Sequence, residues 1–528
     1  MEAREVLTHL IAILALAQAS AMMAVMGEGG GAIPTTLDGP FEPVTRRFDP
    51  SLRMGSDDLP MDDPRLKKNV TSSFPEQILL ALSSDPSSTW VSWITGDAQI
   101  GKNVTLLNPS SVTSEVWYKP DGMSAVYSQL YPFEGLLNYT SGIIHHVRLE
   151  GLKSATTYYF KCGDSSVPAM SDEYSFKTMP SPSPNAYPTR IAVIGDLGLT
   201  SNSSTTIDHV IKNDPALVLM VGDLTYANQY LTTGGQGASC FSLPMMVIED
   251  NHEIEPQVDG ITFQSYLTRF AVPSEESHSN SSTQYSWLMD DLHRVNRSLT
   301  PWVVAAWHPP WYNSYNSHYQ EFECTRQEME ALLINTKSIS CSMAIGFSFA
   351  VHAYERMNRV YSYTLDPCGP LYITIGDGGN IEKVDVDFAD DPGKCPKPED
   401  NKPEFGGLCP LNFSNGPAKG KFCWSKQPEW SAYSESSFGH GILEIVNSTY
   451  ALWTWHGNQD AYKEDKPGNQ IFIVRRPELC SPTVKESSDP PQGGQESEHT
   501  SPSSTVILSF KTMWLMCLLV ASVGIAVR

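Results

Sequence analysis

Basic charge is scarce in this 528-residue chain: 36 Lys and Arg stand against 59 Asp and Glu, a formal net charge of −23. Such a surface repels phosphate backbones and lacks the basic stripe of a nucleic-acid binder, so nucleic acid is excluded as a partner. Any phosphate chemistry must then draw on local positive charge such as bound metal. No C-x-x-C pair occurs among the ten cysteines, which argues against a structural zinc site. Cys517 lies in an apolar tail; the remaining nine are an odd number and fit an oxidising compartment in which most pair and one is free or intermolecular. A long apolar run is missing too. Met513 to Val527 is 15 residues, short of the ~20 that a spanning helix needs, and extension back to Thr505 takes in Lys511.

What the ends do contain points to secretion. Residues 1–21 read as a signal peptide, with an apolar run from Leu10 to Ala17 and the small-x-small patterns Ala17-Gln18-Ala19 and Ala19-Ser20-Ala21, although Arg4 is flanked by Glu2 and Glu5. Eight N-x-S/T sequons, at Asn69, Asn103, Asn138, Asn202, Asn280, Asn296, Asn412 and Asn447, predict N-glycans on a secreted, extracellular or cell-wall protein. Residues 481–504 are Ser, Pro, Gly and Glu with almost nothing apolar, a disordered linker by composition. The hydrophobic tail 505–528 follows, with small residues upstream at Gly493, Gly494, Ser501, Ser503 and Ser504. Two forms of membrane attachment stay open for it, a cleaved lipid-anchor signal or a spanning tail.

After an N-terminal extension, 22–74, residues 75–180 show short β-branched and aromatic runs separated by turn residues: Trp90 to Trp93, Ser114 to Tyr118, Ile143 to Leu149, Thr157 to Cys162 and Tyr174 to Thr178. That rhythm predicts a small antiparallel β-sandwich and no chemistry. Past Ser181-Pro182-Ser183-Pro184 the texture becomes continuous apolar runs, each ended by a polar cluster, as in the buried strands of an α/β layered domain over 188–480.

Those polar ends carry the chemistry. Arg190 to Ile194 delivers Gly195-Asp196, Ala216 to Val221 delivers Gly222-Asp223 and Tyr226, Pro244 to Ile248 leads to Asn251-His252-Glu253, and Trp302 to Ala306 leads to His308. Ligands in layered α/β sheets bind beyond the carboxyl ends of strands, so these oxygen and imidazole donors would converge on one crevice as a metal site. Each Gly-Asp alone is usually just a turn. The ordered series, with His352 further on, predicts a two-metal hydrolase. The glycines fit a sharp exit from a strand, by positive φ or close backbone approach.

The strings GDLG, GDLTY, NHE, WHPPWYNSY and VHAYER resemble the motif series of plant purple acid phosphatases, over most of residues 75–480. The resemblance implies an α/β metallophosphoesterase, a layered β-sandwich flanked by helices, preceded by an all-β fibronectin type III-like domain. It implies Fe(III) held by Asp196, Tyr226 and His352, a bridging Asp223, and a divalent Zn, Mn or Fe(II) held by Asn251 and His308. His252 and His318 would contact phosphate and protonate the leaving group, though Ser317 replaces a neighbouring family histidine and His318 could be an ordinary loop residue. The implied reaction is hydrolysis of phosphomonoesters, including phytate for some relatives, at acid pH, by a chain that could dimerise with a second copy.

Departures from the pattern are local. The family's Gly-His-x-His is here Phe349-Ala350-Val351-His352, removing one imidazole from the divalent site. Segments between Cys240 and Pro244 and after Asn280 are shortened, and Asp250 replaces a glycine. Lost interior strands should leave neighbours at an unpaired edge. Two alternatives remain, a non-catalytic binding isoform and a phosphodiesterase; the tyrosine at 226 speaks against the latter.

Overall fold

The structure, a computed structural model, describes residues 39–55, 57–60, 62–65, 73–83, 85–96, 102–107, 115–118, 123–129, 139–183, 186–187, 190–226, 244–248, 252–253, 263–271, 292, 295–323, 325–326, 329–330, 344–394, 425–459, 467–475 and 518–523. The signal peptide, the 481–504 linker and most of the tail lie outside these.

The continuous apolar runs form parallel strands. Ile191–Ile194, Leu217–Val221 and Pro244–Ile248 lie side by side, and the antiparallel Gly439–Ile445, Tyr450–Gly457 and Asn469–Val474 extend the sheet. A second sheet centres on parallel Trp302–Trp307, Ala344–Ser348 and Leu371–Ile375, with Tyr354–Met357 and Ser431–Glu435 beyond. Alternation along the strands decides the layers. Val193, Leu219 and Val221 face Val304, Phe347, Ile373 and Trp453 in one core between the sheets. Ala192, Ile194, Val218 and Met220 point the other way, against Val210 of the helix Ser201–Lys212. That helix is fixed by Thr200, which accepts from the Asn202 and Ser203 amides in a capping box.

In the N-terminal region, Glu76–Leu82, Thr89–Thr95, Ile143–Leu149 and Met123–Ala125 pair antiparallel. Thr157–Asp164 with Lys102–Leu107, Glu115–Tyr118, Tyr174–Lys177 and Ala169–Met170 forms the facing sheet. Leu80, Val91, Trp93, Val147, Phe160 and Phe176 fill the space between them. The fibronectin type III-like sandwich and the layered α/β domain are both present as the sequence implied.

Pairing across the expected boundaries follows from backbone groups left at the strand edges. Leu80 and Ala81 pair in parallel with Pro244 and Met245, so one ten-stranded sheet runs from the sandwich into the layered α/β domain. The outer edge of Trp302–Trp307 is covered antiparallel by Leu518–Val523 from the C-terminal tail. Within the 22–74 extension, Val44–Arg46 adds a parallel strand to Ser431–Glu435. Among the described helices none is long and apolar enough to cross a membrane.

Two chemical expectations are refined. Among the described cysteines, Cys368 is disulfide-bonded and Cys162 is free. Cys162 faces the sandwich core, and burial pushes its thiol up to about 12. Of the sequon asparagines, Asn296 and Asn447 sit exposed in turns, whereas Asn202 is 2% exposed inside a helix and cannot carry a glycan in this fold. A sequon read from sequence alone carries no information on burial.

Candidate metal centre

The carboxyl ends of the central strands lie at one edge of the two facing sheets, as the topology rule requires. Asp196 and Asp223 sit in the turns after Ile191–Ile194 and Leu217–Val221, with φ of 52° and 50°, and Tyr226 has φ 55°. This left-handed backbone is costly for residues with a Cβ and persists only when neighbours hold it. Here Leu197 N donates to Asp223 O at 3.2 Å and Gly198 N to Leu224 O at 3.0 Å. Glu253, 8% exposed, accepts from the amides of Asp223 and Leu224 at 3.0 and 2.8 Å, stapling the second turn.

The donors meet as follows. The Tyr226 hydroxyl donates to Asp196 Oδ1 at 2.9 Å and lies 3.2 Å from His352 Nε2. His352 Nε2 is 3.4 Å from Asp196 Oδ1. His308 Nε2 is 3.3 Å from Asp223 Oδ2 and 4.0 Å from Asp196 Oδ1. His252 Nε2 stands 3.7 Å from Asp223 Oδ2, its backbone N donates to Asp223 Oδ1 at 3.0 Å, and its ring lies over Tyr226 with centroids 3.9 Å apart. Asp385 Oδ2 accepts from His352 N at 2.8 Å and Lys383 O lies 3.1 Å from His352 Nδ1, which turns Nε2 toward the carboxylates.

Six of the eight residues singled out in the sequence are thus brought together: Asp196, Asp223, Tyr226, His252, His308 and His352. Asn251 lies outside the described residues. His318 has φ 52° and its contacts are local, with Glu321 Oε2 at 2.8 Å from Nδ1 and the Phe322 ring beside it.

Burial makes the group a trap for positive charge. Asp196 is wholly buried and its Oδ2 has no hydrogen-bond partner, a state that costs free energy unless a cation completes it. Burial pushes the Asp223 carboxyl up, but His308 and His252 outweigh it and hold the group at about 2. Burial lowers His352, and Asp196, with Asp385 and Glu382, more than reverses this, leaving the imidazole at about 9. The Tyr226 phenol is driven well above its ordinary value by burial and by Asp196, Asp223 and Glu382. A bound cation would reverse that balance and favour the phenolate. Asp196, Asp223 and His308 place ligand atoms within 4.8 Å of one another, a set that could hold a metal ion.

Where the family pattern has a second imidazole, Ala350 offers only a methyl. Its amide and that of Phe349 donate to His308 O, at 3.2 and 2.7 Å. The fully buried Phe349 ring lies on the backbone of Gly195; a Cβ there would be 2.0 Å from Cδ1. Close approach is therefore what Gly195 permits, while Gly222 supplies φ 79°. Glu253 was quoted in the sequence series without a role, and Glu382, Lys383 and Asp385 gave no signal there, because each acts through folding of a remote segment.

The fold and this donor set define a metallophosphoesterase-type domain behind a fibronectin-like sandwich. Comparison with known proteins carries this further. Residues 75–178 match the model of the purple acid phosphatase N-terminal domain, and residues 414–466 match that of the iron/zinc purple acid phosphatase-like protein C. Purple acid phosphatase 23 of Arabidopsis thaliana is 60% identical over 427 residues, covering 69% of this chain and 92% of the relative. Purple acid phosphatase 15 of the same plant is 51% identical over 512 residues, covering 85% of this chain and 94% of the relative. In each alignment the share of this chain holds fewer residues than the aligned length, so both relatives carry stretches that this chain lacks. A purple acid phosphatase from yellow lupin seeds shares the fold with a TM-score of 0.55 at 18% identity, covering 80% of this chain and 78% of the lupin chain. The chain belongs to the purple acid phosphatase family, a family of phosphatases.

Proposed function

We propose that this protein is a secreted acid phosphatase that hydrolyses phosphate monoesters, phytate among them, at an Fe(III) and divalent-metal pair. The observation that carries the reading is the convergence of two buried carboxylates, a tyrosine and three imidazoles from separate strand ends. Asp196, Tyr226 and His352 would hold the ferric ion, Asp223 would bridge, and His308 with Asn251 would hold the divalent ion of Zn, Mn or Fe(II). The ions would supply the charge that activates a water and neutralises phosphoryl oxygens for in-line attack, a ferric ion sustaining this at acid pH. Around them, Glu253 fixes the turn that carries Asp223 and Asp385 orients His352, and His252 Nε2 would bind a phosphoryl oxygen and pass its proton to the departing alkoxide. His318, half-buried in a turn, is the second candidate for that proton transfer.

Secretion is supported by the signal-like N-terminus, the bonded Cys368 and the exposed sequons at Asn296 and Asn447. Iron and zinc content of the purified chain, together with p-nitrophenyl phosphate hydrolysis across acid pH, tests the proposal. Two metals with an acid optimum support it; metal-free protein without turnover defeats it. Ala350 favours a second reading, an isoform that binds one ion and turns over slowly or not at all. One metal per chain would select it.

A further inference from the structure

Glu382 belongs to no motif, yet its partly exposed carboxylate stands against two imidazoles of the centre. Oε1 lies 3.6 Å from His252 Nε2 and Oε2 lies 3.9 Å from His352 Nε2, with the side chain 38% exposed. One planar anion thus spans two imidazoles delivered by different strands, and its charge also bears on Tyr226.

The position is built. Glu382 N donates to Asn380 Oδ1 at 2.9 Å, and Asn380 Nδ2 donates to Asp196 O at 3.1 Å. On the other side, Lys383 O and Asp385 Oδ2 engage His352. The segment carrying Glu382 is therefore tied at both ends to residues that form the centre.

We propose that Glu382 is a built-in placeholder for the phosphoryl anion, a side chain that lowers affinity for phosphate and so favours release of the product. The inference rests on the reading of this centre as phosphoryl-binding. A phosphate oxygen in hydrogen-bond contact with His252 Nε2 comes to about 3 Å from that nitrogen. Glu382 Oε1 already stands 3.6 Å from the same atom. Two anions cannot share the imidazole without repulsion, so phosphate enters only as the carboxylate swings toward solvent, which its exposure permits. At a partly solvated mouth, a like charge at this range weakens anion binding by roughly five- to tenfold.

The test is calorimetric binding of inorganic phosphate to the metal-loaded full chain. Glu382→Gln removes the charge at nearly constant shape, and Glu382→Ala removes both charge and bulk. Both variants are expected to bind phosphate roughly five- to tenfold more tightly than the parent, with a parallel fall in KM for p-nitrophenyl phosphate. Unchanged or weaker phosphate binding in Glu382→Gln overturns the placeholder, as does tightening in the alanine variant alone, which would signal room rather than charge. Phosphate binding undetectable in parent and variants also overturns it. Absence of hydrolysis by the parent defeats the proposed function separately, because the phosphate affinities are compared without turnover.

Discussion

Acid should loosen this protein at a place remote from the centre. His209 on the helix Ser201–Lys212, His440 on Gly439–Ile445 and His456 on Tyr450–Gly457 meet in a buried cluster around Asn458. The Asn458 carboxamide oxygen lies 3.1 Å from His209 Nδ1 and 2.9 Å from His440 Nδ1, and the His440 and His456 rings stack at 5.1 Å. Burial, then the charges of His209 and Arg190, pull His456 down to about 4, and burial with His456 holds His440 well below its ordinary value. The sign follows from linkage. An unfolded chain protonates these rings near pH 6.5, whereas the folded chain resists, so stability is full above that pH, falls as pH drops toward 4 and levels off below. For His456 alone the shift from 6.5 to about 4 corresponds to about 3 kcal/mol. Buried carboxyls such as Asp377, which burial pushes up to about 8, titrate with the opposite sign. The informative quantity is therefore the stability difference between the parent and His456→Gln, from urea unfolding at several pH values. That difference should move in favour of the variant by about 3 kcal/mol between pH 7 and 4. A difference that stays constant to within about 1 kcal/mol would refute the reasoning.

Ala350→His should hold the divalent ion more tightly against a chelator and increase turnover, since it returns an imidazole beside His308; loss of that ion to EDTA at the parent's concentration, by mass spectrometry, would count against it. Gly195→Ala would drive a methyl into the buried Phe349 ring, 2.0 Å from Cδ1, and should cost about 1–3 kcal/mol in thermal unfolding, partly relieved by adding Phe349→Ala. Glu253→Ala strands the buried amide of Asp223 and the half-buried one of Leu224 and should cost about 1–3 kcal/mol, most of it from Asp223, while weakening metal uptake. Intact uptake with a lowered melting temperature would confine Glu253 to folding.

The strands that deliver the site were legible because they are short, apolar on both faces and followed by a glycine or polar residue: Ile191–Ile194, Leu217–Val221 and Pro244–Ile248 fall where the sequence put them, to within a residue at their starts. The donors could be read for the same reason, since Asp196, Asp223 and His308 directly follow such strands. What failed to show in the sequence depends on long-range pairing. Nothing in the local residues announces that Val44–Arg46 joins a strand nearly four hundred residues away, or that an apolar tail with the composition of an anchor supplies Leu518–Val523 as an edge strand. Glu382 was invisible for a related reason: a lone Glu in a polar loop has no pattern, and its meaning comes from the turn that sets it against His252. Asn202 failed in the reverse direction, matching a motif whose chemistry its burial forbids.

The central claim is that carboxylates and imidazoles from separate strand ends gather a pair of cations, and Asp223 stands at the middle of that group. Metal content of Asp223→Ala against the parent, by mass spectrometry on folded protein of matched circular dichroism, tests it most directly. The variant should lose most of its bound metal together with any phosphatase activity. Metal uptake equal to that of the parent would contradict the account.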